Sequence, residues 1–164
     1  KFTWIGGEDN SSLVLGDGRP FFVKLQNPNK RKSKSISINL DSLILRNLKL
    51  VNELPRIPLK FNSSIKITIS SKTTVYSKYL KTLKNILDAP VIVYDKSGKR
   101  FEKQVISIYY KKESLCTFSL FMKVEGGLPL RRFIEGGDVT PNLSELLNCK
   151  CKCVEFDYDD IELQ

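Results

Sequence analysis

The side chains that could carry acid–base or nucleophilic chemistry here are carboxylates, tyrosines, lysines and arginines, because the 164 residues include no histidine. That absence removes a histidine general base, a Ser-His or Cys-His nucleophile pair and a histidine-liganded metal. Three stretches have the texture of site-building loops. In "GGEDNSSLVLGDGRPF", residues 6 to 21, Asp9 follows Gly6-Gly7 and precedes a polar triplet, the apolar trio Leu13 to Leu15 offers an anchor, and Asp17 between glycines reads as a turn residue. In "GGLPLRRFIEGGDVTPN", residues 126 to 142, glycine pairs bracket an apolar and doubly cationic segment holding Leu130, Arg131 and Arg132. In "KTTVYSKY", residues 72 to 79, Tyr76 and Tyr79 mix with Lys72, Lys78 and the nearby Lys81, a combination that lets an RNA base stack while its phosphates are neutralised. Each has an ordinary alternative: Asp9 as a turn or cap residue, Arg131 as a surface cation, Tyr76 as core packing with a solvated hydroxyl.

The formal net charge is +9, yet the last ten residues, "EFDYDDIELQ", hold five acids and no base, so the basic character is concentrated elsewhere. Its densest run is "KLQNPNKRKSKS", where Lys24, Lys30, Arg31, Lys32 and Lys34 stand without an intervening acid. Such a run is the footprint of a polyanionic partner, most often nucleic acid, or else a solvated loop. Of the four cysteines, Cys149, Cys151 and Cys153 alternate along what reads as a strand, which would point all three to one face. Their C-x-C-x-C spacing is unlike the paired C-x2-C hooks of structural zinc sites, so they are expected to be core-facing thiols, with no metal.

The elements that must position these residues are mostly short strands. With 41% hydrophobic and 27% charged residues the chain is expected to form one globular unit, residues 1 to 164. Runs at 21 to 25, 35 to 38, 65 to 69, 91 to 94 and 105 to 110 read as strands, and strict alternation puts Cys116, Phe118, Leu120, Met122 and Val124 on one face. The runs at 105 to 110 and 116 to 124 read as a hairpin around "KKES", and "DKSGK" at 95 to 99 as a turn. Helices are expected at 40 to 48, capped by Asp41 or Ser42, at 76 to 87, and at 142 to 147. The sum is a mixed α+β class, a mainly antiparallel sheet with a few covering helices. No apolar run approaches the roughly 20 residues of a membrane span. A soluble, monomeric, cytoplasmic chain is expected, or a nuclear one in a eukaryote. Its start without methionine, inside an apparent strand, suggests a piece of a longer protein.

Taken in order, "G-x-E-D…L-G-x-G-R-P-F…N-P", a central tyrosine and a late "G-G-L…T-P-N-L-S-E-L" resemble the catalytic domain of the Pus-ten family of archaeal and eukaryotic tRNA pseudouridine synthases. The matching segments are Gly6 to Phe21 with Asn27-Pro28, more weakly Lys72 to Leu80, and Gly126 to Leu147. The resemblance implies a pseudouridine-synthase-like fold, here its C-terminal part without the upstream RNA-binding module. It implies isomerisation of T-arm uridine in tRNA through an essential aspartate, or an RNA-binding protein of that fold with weakened or lost catalysis. No redox step, metal or cofactor is required for that isomerisation.

By the same resemblance Asp9 is the catalytic aspartate, Tyr76 the ring stacked on the uracil with Tyr79 competing for the place, and Arg131 the cation paired with the carboxylate. Leu130 is the apolar residue beneath it. Arg19, Lys30, Arg31, Lys32, Lys34, Lys72, Tyr79, Leu130 and Arg132 are expected to touch substrate RNA. The pattern departs from the family where Gly7 stands in place of an arginine, where Ser11 and Leu13 replace an acid and an arginine, and where Pro129 replaces a tyrosine.

Overall fold

The computed structural model describes residues 2–6, 12–30, 37–41, 43–53 and 59–164. Its centre is a four-stranded antiparallel sheet in the order β11-β5-β9-β8, formed by Cys151–Leu163 (β11), Phe61–Ser71 (β5), Thr117–Glu125 (β9) and Val105–Lys112 (β8). Alternation decides which face is buried, because successive strand side chains point to opposite sides. Ser63, Ile65, Ile67 and Ile69 of β5 lie opposite Val124, Met122, Leu120 and Phe118 of β9, and all eight are buried. On the other side β5 faces Ile161, Tyr158, Phe156 and Cys153 of β11, also buried. The opposite face is polar, with Lys123 bonded to Glu162 at 2.9 Å and Thr68 to Glu155 at 3.2 Å.

Short helices cover the apolar face. The segment expected as one helix over 76 to 87 is a single α-turn, Ser77–Lys81 (α1), tightening into a 3₁₀ helix over Thr82–Leu87, and it buries Leu80, Leu83 and Ile86. Leu130–Glu135 (α2) was not anticipated; it buries Leu130, Phe133 and Ile134 and packs on β11. Leu143–Leu146 (α3) starts as expected, with the Asn142 side chain accepting from the Glu145 amide at 3.0 Å. A smaller sheet, β10-β6-β7, joins Val139–Thr140 (β10), Val91–Tyr94 (β6) and Arg100–Lys103 (β7), with the 95 to 99 turn closing the β6–β7 hairpin. The expected hairpin of β8 and β9 is present. The class is therefore α+β with mainly antiparallel sheets.

The helix expected over 40 to 48 is instead a small hairpin: Ile38–Leu40 (β3) pairs with Leu43–Leu45 (β4), and Asp41 lies in the turn between them. A helix of that length is marginal without a surface to pack on, and Leu40 and Ile44 are both more than half exposed, so local strand pairing prevails. The first strand, Phe2–Trp4 (β1), pairs with Phe21–Val23 (β2). Of the cysteines, Cys151 and Cys153 share the buried face, whereas Cys149 precedes β11 and is half-buried, its Sγ 3.7 Å from that of Cys151. The alternation of all three on one strand is thus corrected to two.

Candidate active site

A cleft of about 410 Å³ opens where β5 begins and β9 ends. Phe61, Ser63 and Ile65 enter from β5, Phe156 and Tyr158 from β11, and the segment from Gly126 to Arg132 forms the rim and the start of α2. The glycine of that rim has a steric reason. A Cβ on Gly126 would stand 2.4 Å from the ring of Phe61, so only a bare backbone lets the ring lie against this turn. The Gly126 amide also donates to the Phe61 carbonyl at 2.7 Å, fixing the two together.

Arg131 reaches into this cleft from the first turn of α2. Its Nη1 donates to the Cys153 carbonyl at 3.1 Å and its guanidinium lies 5.8 Å from the centre of the Phe156 ring. Glu135, one turn later, accepts from the Cys153 amide at 3.1 Å. Both bonds fall at an irregularity between Cys153 and Glu155, where β11 slips its register on β5 and leaves peptide groups for side chains to satisfy. Leu130 is buried and lines the same cleft, and Arg132 lines it from the side facing Asp138, 3.6 Å away.

The segment from 12 to 21 is tied to the same strand. Leu15 donates to the Tyr158 carbonyl at 2.7 Å, Tyr158 donates to the Leu13 carbonyl at 2.9 Å, and Asp157 Oδ1 accepts from the Leu13 amide at 3.0 Å. Val14 packs on the core while Leu13 and Leu15 are largely exposed, so the anchor is main-chain pairing plus one side chain. Gly16 passes so close to β11 that a Cβ would meet the Asp159 carbonyl oxygen at 2.2 Å. Asp17 lies in the turn that Gly18 closes onto Leu15, as expected. Arg19 is held by the carbonyls of Ile5, at 2.8 Å, and of Gly6, and lies over the Trp4 ring, so it staples the base of this loop.

The expected site residues therefore divide. Arg131, Leu130 and Arg132 share one cleft. Asp9, Arg31, Lys32 and Lys34 lie outside the described residues. Lys30 is exposed and does not line the cleft. Tyr76, Tyr79 and Lys72 are not in it either. Tyr76 is the N-cap residue of α1, beyond Ser71 at the other end of β5, and the rise of an extended strand puts Phe61 and Ser71 about 33 Å apart. The aromatic side chains at the cleft are Phe61, Phe156 and Tyr158, none singled out from sequence. The available signal was the strand period, which places Phe61, Ser63 and Ile65 on one face. Among the described residues no cluster of three or more cysteine or carboxylate side chains is arranged to hold a metal ion.

A family model described as "Pus10, C-terminal" matches residues 1–97. The chain is 54% identical to the tRNA pseudouridine synthase Pus10 of Nitrosopumilus maritimus and 35% identical to that of Cenarchaeum symbiosum, over all of this chain and 43% and 41% of theirs. It is 25% identical to the mouse protein of the same name, across 99% of this chain and 35% of that one. The chain thus spans about two fifths of the archaeal relatives' length. With more than half of its residues matched by that model, the chain belongs to the Pus10 C-terminal family.

Proposed function

We propose that this chain is the C-terminal part of a pseudouridine-synthase catalytic domain that isomerises uridine in tRNA, with Asp9 as the reacting carboxylate and the cleft between Phe61 and Arg131 as the uracil site. The observation that carries the reading is that α2, with Arg131, and the loop leading away from Asp9 are both fastened to β11 beside one cleft. In the sequence Asp9 stands between Gly6 and Ser12, the two described residues that flank it. Gly6 adjoins Ile161, and Leu13, next to Ser12, is bonded to Tyr158, a cleft residue. The archaeal relatives' names supply the reaction.

The chemistry asks little of the protein. The C1′–N1 bond breaks, the uracil turns, C1′ joins C5, and the C5 hydrogen leaves as a proton while N1 takes one up. A carboxylate acting at the ribose must be ionised, and a neighbouring guanidinium favours that form and fixes its direction. Arg131, itself oriented by the Cys153 carbonyl, is the cation for that role. The uracil lies against Phe61 in place of Tyr76. A phenyl ring supplies stacking but no hydroxyl, so proton removal from C5 falls to another group or to water. Flipping the uridine costs a few kcal/mol, offset by stacking and phosphate contacts.

The test is release of tritium from tRNA labelled at uridine C5 by the full-length protein that carries this chain. Asp9→Asn should lower the rate by at least about 10⁴-fold with tRNA affinity kept within a few-fold. Release at the parental rate removes Asp9 from the reaction, and no release by the parent protein favours an RNA-binding role without catalysis.

A further inference from the structure

The tyrosines and lysines at the far end of β5 are not used by the cleft. Tyr76 and Tyr79 are 57% and 42% exposed, with ring centres 6.3 Å apart in an edge-on arrangement at 64°. Lys78 Nζ sits 4.9 Å from the centre of the Tyr79 ring. From Lys72 to Leu87 the chain carries lysines and no acid, and at this end the Lys72 amide donates to the carbonyl of Lys150, adding a fifth exposed lysine to the four of that run. Glu113 lies on the turn to which Val75 is bonded, and its charge is taken up by Lys111 at 3.3 Å.

We infer that Tyr76 and Tyr79 form a second RNA-docking surface, which stacks unpaired bases of the substrate RNA while Lys72, Lys78, Lys81 and Lys150 neutralise the adjoining phosphates. The inference rests on the reading of the chain as an RNA-modifying domain and adds a site beyond Ser71, at the end of β5 opposite the cleft. A base on Tyr76 and a uridine in the cleft therefore belong to different parts of one RNA. The physical case is that two adjacent aromatic rings this exposed gain little from the protein's own core, whereas every base offers a flat face to stack on them. A cation held beside one ring leaves that ring amphipathic and places charge where a phosphate would pass. The surplus of five exposed lysines over the nearby Glu113 and Asp88 favours a polyanion over an apolar protein segment.

The experiment is binding of a short fluorescein-labelled oligoadenylate, kept single-stranded, and of an RNA duplex of equal length to the 164-residue chain across a salt series. The single strand should bind tighter than the duplex. Tyr76→Ala with Tyr79→Ala should weaken single-strand binding by about 10-fold or more and leave duplex binding within about 2-fold. Tyr76→Phe with Tyr79→Phe should restore it, since the ring and not the hydroxyl is required, and unchanged melting temperatures should exclude misfolding as the cause. Lys78→Ala with Lys81→Ala should weaken both ligands and flatten the slope of log affinity against log salt by about 1.4 for the single strand. Single-strand binding by the alanine pair equal to that of the parent, or no recovery with phenylalanine, overturns the inference. The readout is binding alone, so either result leaves the proposed isomerisation to be decided by tritium release.

Discussion

Arg131 is bonded to the carbonyl of Cys153 at 3.1 Å, across the irregularity that divides β11. That bond makes α2 and the sheet a single support for the guanidinium, with Glu135 accepting from the N–H of the same residue. The bond is partly exposed, so its value to stability is small and its value to orientation is the larger one.

Arg131→Met should therefore lower thermal stability by less than about 1 kcal/mol while lowering kcat for pseudouridine formation by about 10²- to 10³-fold, the usual loss when a preorganised charge is removed from a reacting centre. Arg131→Lys should recover part of kcat only, since a single ammonium cannot hold the Cys153 carbonyl and a carboxylate in one plane. Thermal melts and single-turnover rates check the split. A stability loss of several kcal/mol would assign Arg131 to the fold instead.

Gly126→Ala forces a methyl group to within 2.4 Å of the Phe61 ring, whose far edge must swing away. The expected result is a stability loss of about 1 to 3 kcal/mol from overpacking together with a raised KM. Adding Phe61→Leu should restore much of the stability, because the smaller side chain clears the methyl, and should leave KM high, because the stacking ring is gone.

Ser63 is 2% exposed, and its hydroxyl has no hydrogen-bond partner among the described residues. Ser63→Ala should be neutral or stabilising by up to about 1 kcal/mol, since it removes a desolvated polar atom without opening a sizeable cavity. Denaturant midpoints decide it, and a loss above about 1 kcal/mol would mean that the hydroxyl is satisfied.

Burial and the neighbouring Cys149 push the Cys151 thiol up from 9.0 to about 12. A raised folded value means that this contribution to stability is complete below pH 9 and is lost as pH rises through about 12, at no more than about 1.4 kcal/mol per pH unit. Cys151→Ala should lower stability by a constant amount below pH 9 and flatten the alkaline decline above it. Parallel curves for the two proteins above pH 9 would show that Cys151 does not titrate in this way.

Local rules made the β8–β9 hairpin, the short helix within 142 to 147 and the 95 to 99 turn legible, because each depends on neighbours within a few residues. The second half of β11 was not legible. Two register slips, between Cys153 and Glu155 and between Tyr158 and Asp160, break the period of two that would have exposed Phe156, Tyr158 and Ile161 as core residues among five acids. For the same reason α2 was hidden: its six residues begin after a proline and end at a glycine pair, and what stabilises them is contact with β11.

The chemical inventory can be read from the residues alone: no histidine, isolated acids beside glycines, a doubly cationic segment, aromatic residues among lysines, and an ordered set of motifs that marks the family. Which of these meet was set by the fold. It carried Arg131 into a cleft with Phe61, a residue 70 positions earlier, and left Tyr76, closer to Phe61 in sequence, at the opposite end of β5. The reason is geometric. An extended strand separates its ends by about 3.3 Å per residue, whereas antiparallel pairing brings the start of β5 beside the end of β9, so distance along the chain and distance in space run in opposite senses.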